Sequence, residues 1–266
     1  MNEGAAIEVE TRNDAAVRLG MLTPSSNTVL EPVTAAMLAD VPGVSAHFSR
    51  FRVTEIALSD GALGQFAAGE ILRAAELLRD AKVDAIAWNG TSGSWLGFDH
   101  DERLCDRIAA ATDAPATTST LAFRDLLRRT GARHIGLVTP YTADVQERIA
   151  DVWRRGGFTC VAERHAGLRD NFSFAALDGS TIAAMVSAVA REGCDAVAIV
   201  CTNMRGAPLV EPLERELGIP VYDSVAVTLW HSLVLAGVPT STIAGWGSAF
   251  RRSEHASAPG NPGVDI

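Results

Sequence analysis

Asp195-Ala196-Val197-Ala198-Ile199-Val200-Cys201-Thr202-Asn203, DAVAIVCTN, is a short apolar run that stops on a cysteine and two polar residues. Asp84-Ala85-Ile86-Ala87-Trp88-Asn89-Gly90-Thr91-Ser92, DAIAWNGTS, has the same shape, with glycine in place of the cysteine. Continuous, uncharged runs of this length read as strands buried on both faces, the kind that parallel sheets require. Two further landmarks recur in the same order. Gly20-Met21-Leu22-Thr23-Pro24 returns as Gly136-Leu137-Val138-Thr139-Pro140, and Ala114 to Ser119 returns as Ile219 to Ser224. Three ordered matches predict a duplicated unit. Helical patterns fill the intervals, the clearest over Ala67 to Ala81, where Ile71, Ala74, Ala75 and Leu78 form one stripe. The alternation predicts an α/β fold: two pseudo-symmetric, doubly wound parallel-sheet domains with the active site in the cleft between them. The expected division is a polar segment over 1–16, a first half from 17–118 with 221–250, a second half over 119–220, and a flexible tail over 251–266.

Of the 266 residues, 47% are hydrophobic, enough to build such a core. A net charge of −9, with no compensating Lys/Arg block, argues against nucleic acid or an anionic membrane as a partner. The acidic start MNEGAAIEVETRND lacks the basic and apolar segments of an export signal, and no uncharged apolar run reaches the ~18 residues needed to cross a bilayer. A cytoplasmic location is expected. The four cysteines form no CxxC pair, so reduced thiols are expected, and the six histidines lack metal-ligand spacing. No metal and no cofactor are expected. Asp99-His100-Asp101 reads as a solvated helix cap.

The chemistry-bearing groups fall at predicted strand ends, where ligands bind in such sheets. Cys201 is the candidate nucleophile or proton donor, with Thr202 beside it. The segment after it is expected to lead into a helix near Leu209 to Leu217, whose start would lower the thiol pKa. A buried cysteine is more often a small hydrophobe, so companion motifs carry weight. Ser25, Ser26, Asn27 and Thr28 exceed what one N-cap uses, and Glu31 stands at capping-box spacing. The surplus suits a carboxylate held by neutral donors. In AWNGTSGS, Gly90 permits close approach of a ligand, and Thr91 and Ser92 supply hydroxyls. The bland alternative is an Asn-Gly hairpin turn, which the following WLGFDHDERLC, reading as loop then helix, disfavours. Tyr141 could add a phenolic donor.

These motifs resemble the aspartate/glutamate racemase superfamily, in its branch of maleate cis-trans isomerases and arylmalonate decarboxylases, over about residues 17 to 246. PSSNT at Pro24–Thr28 and the Asn171 of Asp170-Asn171 look like substrate contacts of the isomerases. GTS at Gly90–Ser92 and TPY at Thr139–Tyr141 look like the dioxyanion hole of the decarboxylases. Cys201 matches the cysteine common to both. The resemblance implies a small carboxylic-acid substrate and a homodimer, although no segment specifies an interface. Racemases of this superfamily use two opposed cysteines, and here Gly90 stands where the first would be. One acid suffices for decarboxylation, because the electrons come from the departing carboxylate. The implied activity is therefore a cofactor-independent lyase, a malonate-type decarboxylase with Cys201 as proton donor and an apolar wall near Trp95 and Leu96. Two alternatives remain: a maleate isomerase using Cys201 as nucleophile, and a non-enzymatic carboxylate sensor or carrier.

Overall fold

The computed structural model describes residues 16–66 and 68–251. Nearly all of the expected N-terminal segment and tail, and Ala67 at the expected helix start, lie outside the described residues. Among the described residues eight strands form two parallel sheets of four. The first holds β1 (Val17–Pro24), β2 (Val44–Phe51), β3 (Ala85–Trp88) and β4 (Ala116–Thr118) in the order β2-β1-β3-β4. The second holds β5 (His134–Thr139), β6 (Thr159–His165), β7 (Ala196–Ile199) and β8 (Val221–Asp223) in the order β6-β5-β7-β8. Both are doubly wound, with the switch point beside their first strand. The helices are α1 (Leu30–Leu38), α2 (Asp60–Gly64), α3 (Ala68–Asp80), α4 (Gly93–Leu96), α5 (Phe98–Thr112), α6 (Ser119–Thr130), α7 (Ala143–Arg155), α8 (Gly179–Ala190), α9 (Val210–Leu217) and α10 (Ser224–Leu235).

Each repeated landmark has a physical cause. Asp84 accepts the Arg18 N–H at 2.7 Å, and Asp195 accepts those of Arg133 and His134 at 2.8 and 2.7 Å. Each carboxylate thus closes the start of the neighbouring strand, β1 in one sheet and β5 in the other. Gly20 and Gly136 are the places where a helix seats against the sheet. A Cβ on Gly20 would stand 3.1 Å from Val83 and Ile86, and one on Gly136 would stand 2.9 Å from Val189 of α8 and 3.1 Å from the Cys194 sulfur. Gly136→Val is expected to destabilise the fold by about 1–3 kcal/mol through overpacking. The measurement is the melting temperature, with a drop of roughly 2–10 °C expected; an unchanged value would mean that α8 does not depend on this close approach.

One predicted boundary changes. β8 pairs with β7, so residues 221–223 belong to the second sheet and not to the first half. The chain crosses over immediately afterwards, because α10 packs against β3, β4, α1 and α6. That explains its composition: Val225, Ala226, Val227, Leu229, Trp230 and Leu233 are all buried, as expected for a helix covered over most of its surface, with Val234 left exposed. Thr228 of α10 donates to Ser119 of α6 at 2.8 Å across this junction. Among the described residues no helix is long and apolar enough to cross a membrane.

Candidate active site

The carboxyl ends of β3 and β7 meet at one small cavity, to which both halves contribute. Gly90, Thr91, Ser92 and Trp95 come from the loop after β3 and from α4; Cys201 and Thr202 follow β7; Tyr141 and Asn171 come from the loops after β5 and β6. Pro24, Val53, Ile56, Phe66 and Trp88 complete the wall. Among the described residues no lysine, arginine, histidine or carboxylate lines it. The cavity holds about 20 Å³, room for about one water. A substrate of several heavy atoms therefore requires the covering segment, residues 52–66, to move. That segment is tied to the second half by two backbone bonds, Ile56 N–H to Arg169 at 2.9 Å and Asn171 N–H to Thr54 at 3.0 Å. On the first half it is held at Val53, whose carbonyl accepts from Ser25 and Ser26 and whose N–H donates to Ser25.

Several donors around the cavity remain free for a ligand. The hydroxyls of Thr91 and Tyr141 are 2.7 Å apart, so one of their two protons is consumed between them. Ser92 Oγ accepts from the Trp88 indole at 3.3 Å, which leaves its own proton to donate. The Trp95 indole N–H is buried without a partner. The backbone N–H groups of Gly90, Thr91, Ser92, Cys201 and Thr202 have no hydrogen-bond partner among the described residues. Such clustered amides and hydroxyls hold an anion without a cation. The Thr202 hydroxyl is spent, donating to the Asn89 carbonyl at 3.0 Å and accepting from Asn27 at 3.1 Å.

Ser26 and Asn27 stand outside the cavity lining. Asn27 Oδ1 caps α1 through the amides of Val29 and Leu30, both at 2.9 Å. Ser26 donates to the Val53 carbonyl and accepts from Asn171 Nδ2, both at 2.7 Å. Glu31 is engaged with Arg50, whose guanidinium also grips the carbonyls of Ser25 and Asn27. The polar run therefore braces the loop and the covering segment. Asn171 lines the cavity and, through its carbonyl, receives Asn203 Nδ2 at 2.5 Å.

The expectation of an acidified thiol is corrected. α9 begins at Val210, close to the expected Leu209, and a helix start that far along the chain does not address Cys201. Burial pushes the thiol up to about 12, outweighing the Asn203 N–H that the sulfur accepts at 3.3 Å and the weaker help of the Tyr141 hydroxyl and the Met204 amide. Cys201 is 2% exposed and neutral at physiological pH. The other three thiols are also pushed up by burial, so acidity does not single out Cys201; position in the cavity does.

Sequence reasoning missed several residues. Asp223 at the end of β8 is fully buried, with one oxygen capping α10 and the other without a partner; burial raises its pKa to about 7. Its charge pushes the Cys201 thiol higher still. Asp101 is no solvated cap: it is buried, accepts the Thr118 hydroxyl at 2.5 Å and fills the space beside Gly93. Leu96 does not join the apolar wall and lines a separate surface groove with Phe98 and Arg124. Val53, Ile56 and Phe66 gave no signal because their segment contacts the site only through tertiary folding.

Two doubly wound halves closing on a neutral, donor-rich pocket with a buried thiol define a class of cofactor-free α/β proteins. The family model described as arylmalonate decarboxylase matches residues 20–250. The chain belongs to that family, in the aspartate/glutamate racemase-like branch that also contains maleate isomerases. It is similar to a maleate isomerase of Pseudomonas putida, 28% identical over 228 residues, covering 81% of this chain and 90% of that one. It is also similar to an arylmalonate decarboxylase of Bordetella bronchiseptica, 24% identical over 238 residues, covering 88% and 97%. Among solved structures, a cysteine-to-serine mutant of the Nocardia farcinica maleate cis-trans isomerase, with a covalently bound succinylcysteine intermediate, superposes with a TM-score of 0.78. It is 26% identical and covers 90% of this chain and 99% of that one. These relatives are enzymes, which supports an enzyme here, and they divide between isomerase and decarboxylase.

Proposed function

We propose that the protein decarboxylates a malonate-like dicarboxylic acid without a cofactor, with Cys201 as the proton donor. One observation carries the reading: a single protonated thiol lines the cavity, and its counterpart in the other repeat is Gly90. One carboxylate of the substrate is held by the free amides of residues 90–92, by Ser92 and by the Thr91–Tyr141 pair, with the Trp95 N–H in reserve. The bond from the α-carbon to the second carboxylate breaks against the apolar wall of Val53, Ile56 and Phe66, where a charged group is poorly solvated and neutral CO₂ is favoured. Its electron pair passes into an enediolate, whose growing charge the held donors stabilise. The Cys201 S–H then gives its proton to the α-carbon. The resulting thiolate recovers a proton from water when the pocket opens.

The similarity to the Pseudomonas putida maleate isomerase favours maleate isomerisation as the second reading, in which a thiolate would add to the double bond and later leave. The pH profile separates the two. An acid works only while protonated, so its activity falls as pH rises through about 12 and is flat below that. Between about pH 8 and 10, above the Asp223 titration, kcat/KM of the parent enzyme is expected to be constant for decarboxylation. A thiolate nucleophile would instead gain about tenfold per pH unit over the same interval. The decisive assay offers malonates, maleate and amino acids in D₂O and follows CO₂ release and deuterium incorporation. Bound ligand recovered unchanged and unexchanged would favour a carboxylate-binding protein over an enzyme.

A further inference from the structure

Gly90 is usually the place to ask which residue is missing; here the neighbouring side chain is the more informative one. A Cβ built on Gly90 would stand 2.0 Å from Trp88 Cζ2, 2.2 Å from Cε2 and 2.7 Å from Cη2. Residues two apart on a strand share a face, and the Trp88 indole lies folded over residue 90. It has no freedom to withdraw: Trp88 is fully buried, its ring packs against Phe51 at 4.7 Å between centroids, and its N–H is held by Ser92. The second half supplies the comparison. The register places Leu22 against Trp88 in the first sheet and Val138 against Ile199 in the second, so Ile199 is the equivalent of Trp88 and Cys201 of Gly90. A large residue stands with glycine, and a smaller one with cysteine.

We propose that Trp88 is the residue that makes this site one-sided: its indole fills the volume that any side chain at position 90 would need. The substrate face turned toward residue 90 then meets an aromatic wall, with neither a second acid nor water able to reach it. Trp88 is thus a specificity-determining residue, coupled to Gly90 as Ile199 is to Cys201. The stereochemical part of this inference rests on the proposed decarboxylation; the steric part does not.

The test grafts the second half's pair into the first, comparing the parent with Gly90→Cys, Trp88→Ile and the Trp88→Ile/Gly90→Cys double variant. Melting temperatures form a cycle that can be read without any activity. Introducing cysteine is expected to lower the melting temperature by roughly 2–10 °C beside tryptophan and by much less beside isoleucine. A Gly90→Cys protein that does not fold while the double variant does is the same coupling at its limit. Equal costs in the two backgrounds would overturn the proposal. With an arylmalonate in D₂O, Trp88→Ile alone is expected to lose enantiomeric purity in the product, because solvent gains the uncovered face. The double variant alone is expected to racemise the product. Racemisation by Gly90→Cys with Trp88 in place would also refute the assignment. A parent that releases no CO₂ would defeat the proposed function and leave the stability cycle to decide this one.

Discussion

Cys201→Ala is expected to reduce kcat for decarboxylation of an arylmalonate by about 10²–10⁴-fold, the usual contribution of a positioned acid. The expected change in KM is small. The donors that hold the retained carboxylate, the amides of residues 90–92 and the Ser92 and Thr91–Tyr141 hydroxyls, do not involve the sulfur beyond the Tyr141 contact. Cys201→Ser is expected to fall nearly as far, since a hydroxyl in this buried position is a much weaker acid than the thiol it replaces. The fold should survive both changes. The sulfur's own bonds are few, the Asn203 amide at 3.3 Å with contacts to the Met204 amide and the Tyr141 hydroxyl, and Asn203 is anchored independently through its side chain to Thr28 and Asn171. The measurement is CO₂ release under saturating substrate, with circular dichroism as the folding control. A folded Cys201→Ala protein that turns over at the parent rate would remove the thiol from the mechanism.

The reach and the limits of the sequence follow from the same physics. The duplication was legible because Gly20, Gly136, Asp84 and Asp195 each meet a local demand, a helix seated on a strand or a strand start to be closed, that recurs identically in each half. The residues around the cavity were legible where they end strands, as Gly90–Ser92, Tyr141, Cys201 and Thr202 do. Reading failed where a residue's task depends on a distant segment. Ser26 and Asn27 carry the right polar groups, yet those groups bind Val53, Thr202 and the start of α1. The acidity of Cys201 was misjudged because the helix, although it starts at Val210 close to where it was expected, lies too far along the chain to act on the sulfur, and because burial, invisible in a pattern, dominates its titration. Trp88 read as one more apolar strand residue; only its contact with Gly90 reveals its effect.

Tyr141→Phe is expected to cost about 10²-fold in kcat, comparable to removing one donor from an oxyanion hole. Two losses combine. The phenol shares a proton with Thr91 across 2.7 Å, so its removal takes one donor from the group facing the growing enediolate charge. It also withdraws a hydrogen bond that eases ionisation of the Cys201 thiol, leaving that acid weaker still. The ring itself stays, because Tyr141 packs edge-on against Trp95 and Phe174, each 5.5 Å away, and phenylalanine preserves both contacts. Stability should therefore change little, while the effect concentrates in the chemical step. Thr91→Val is expected to act in the same direction, and the double variant should lose less than the product of the two, since both remove parts of one shared bond. Steady-state kinetics on the three variants checks this. A rise in KM at constant kcat would make the phenol a contact to bound substrate and take the enediolate-stabilising role away from it.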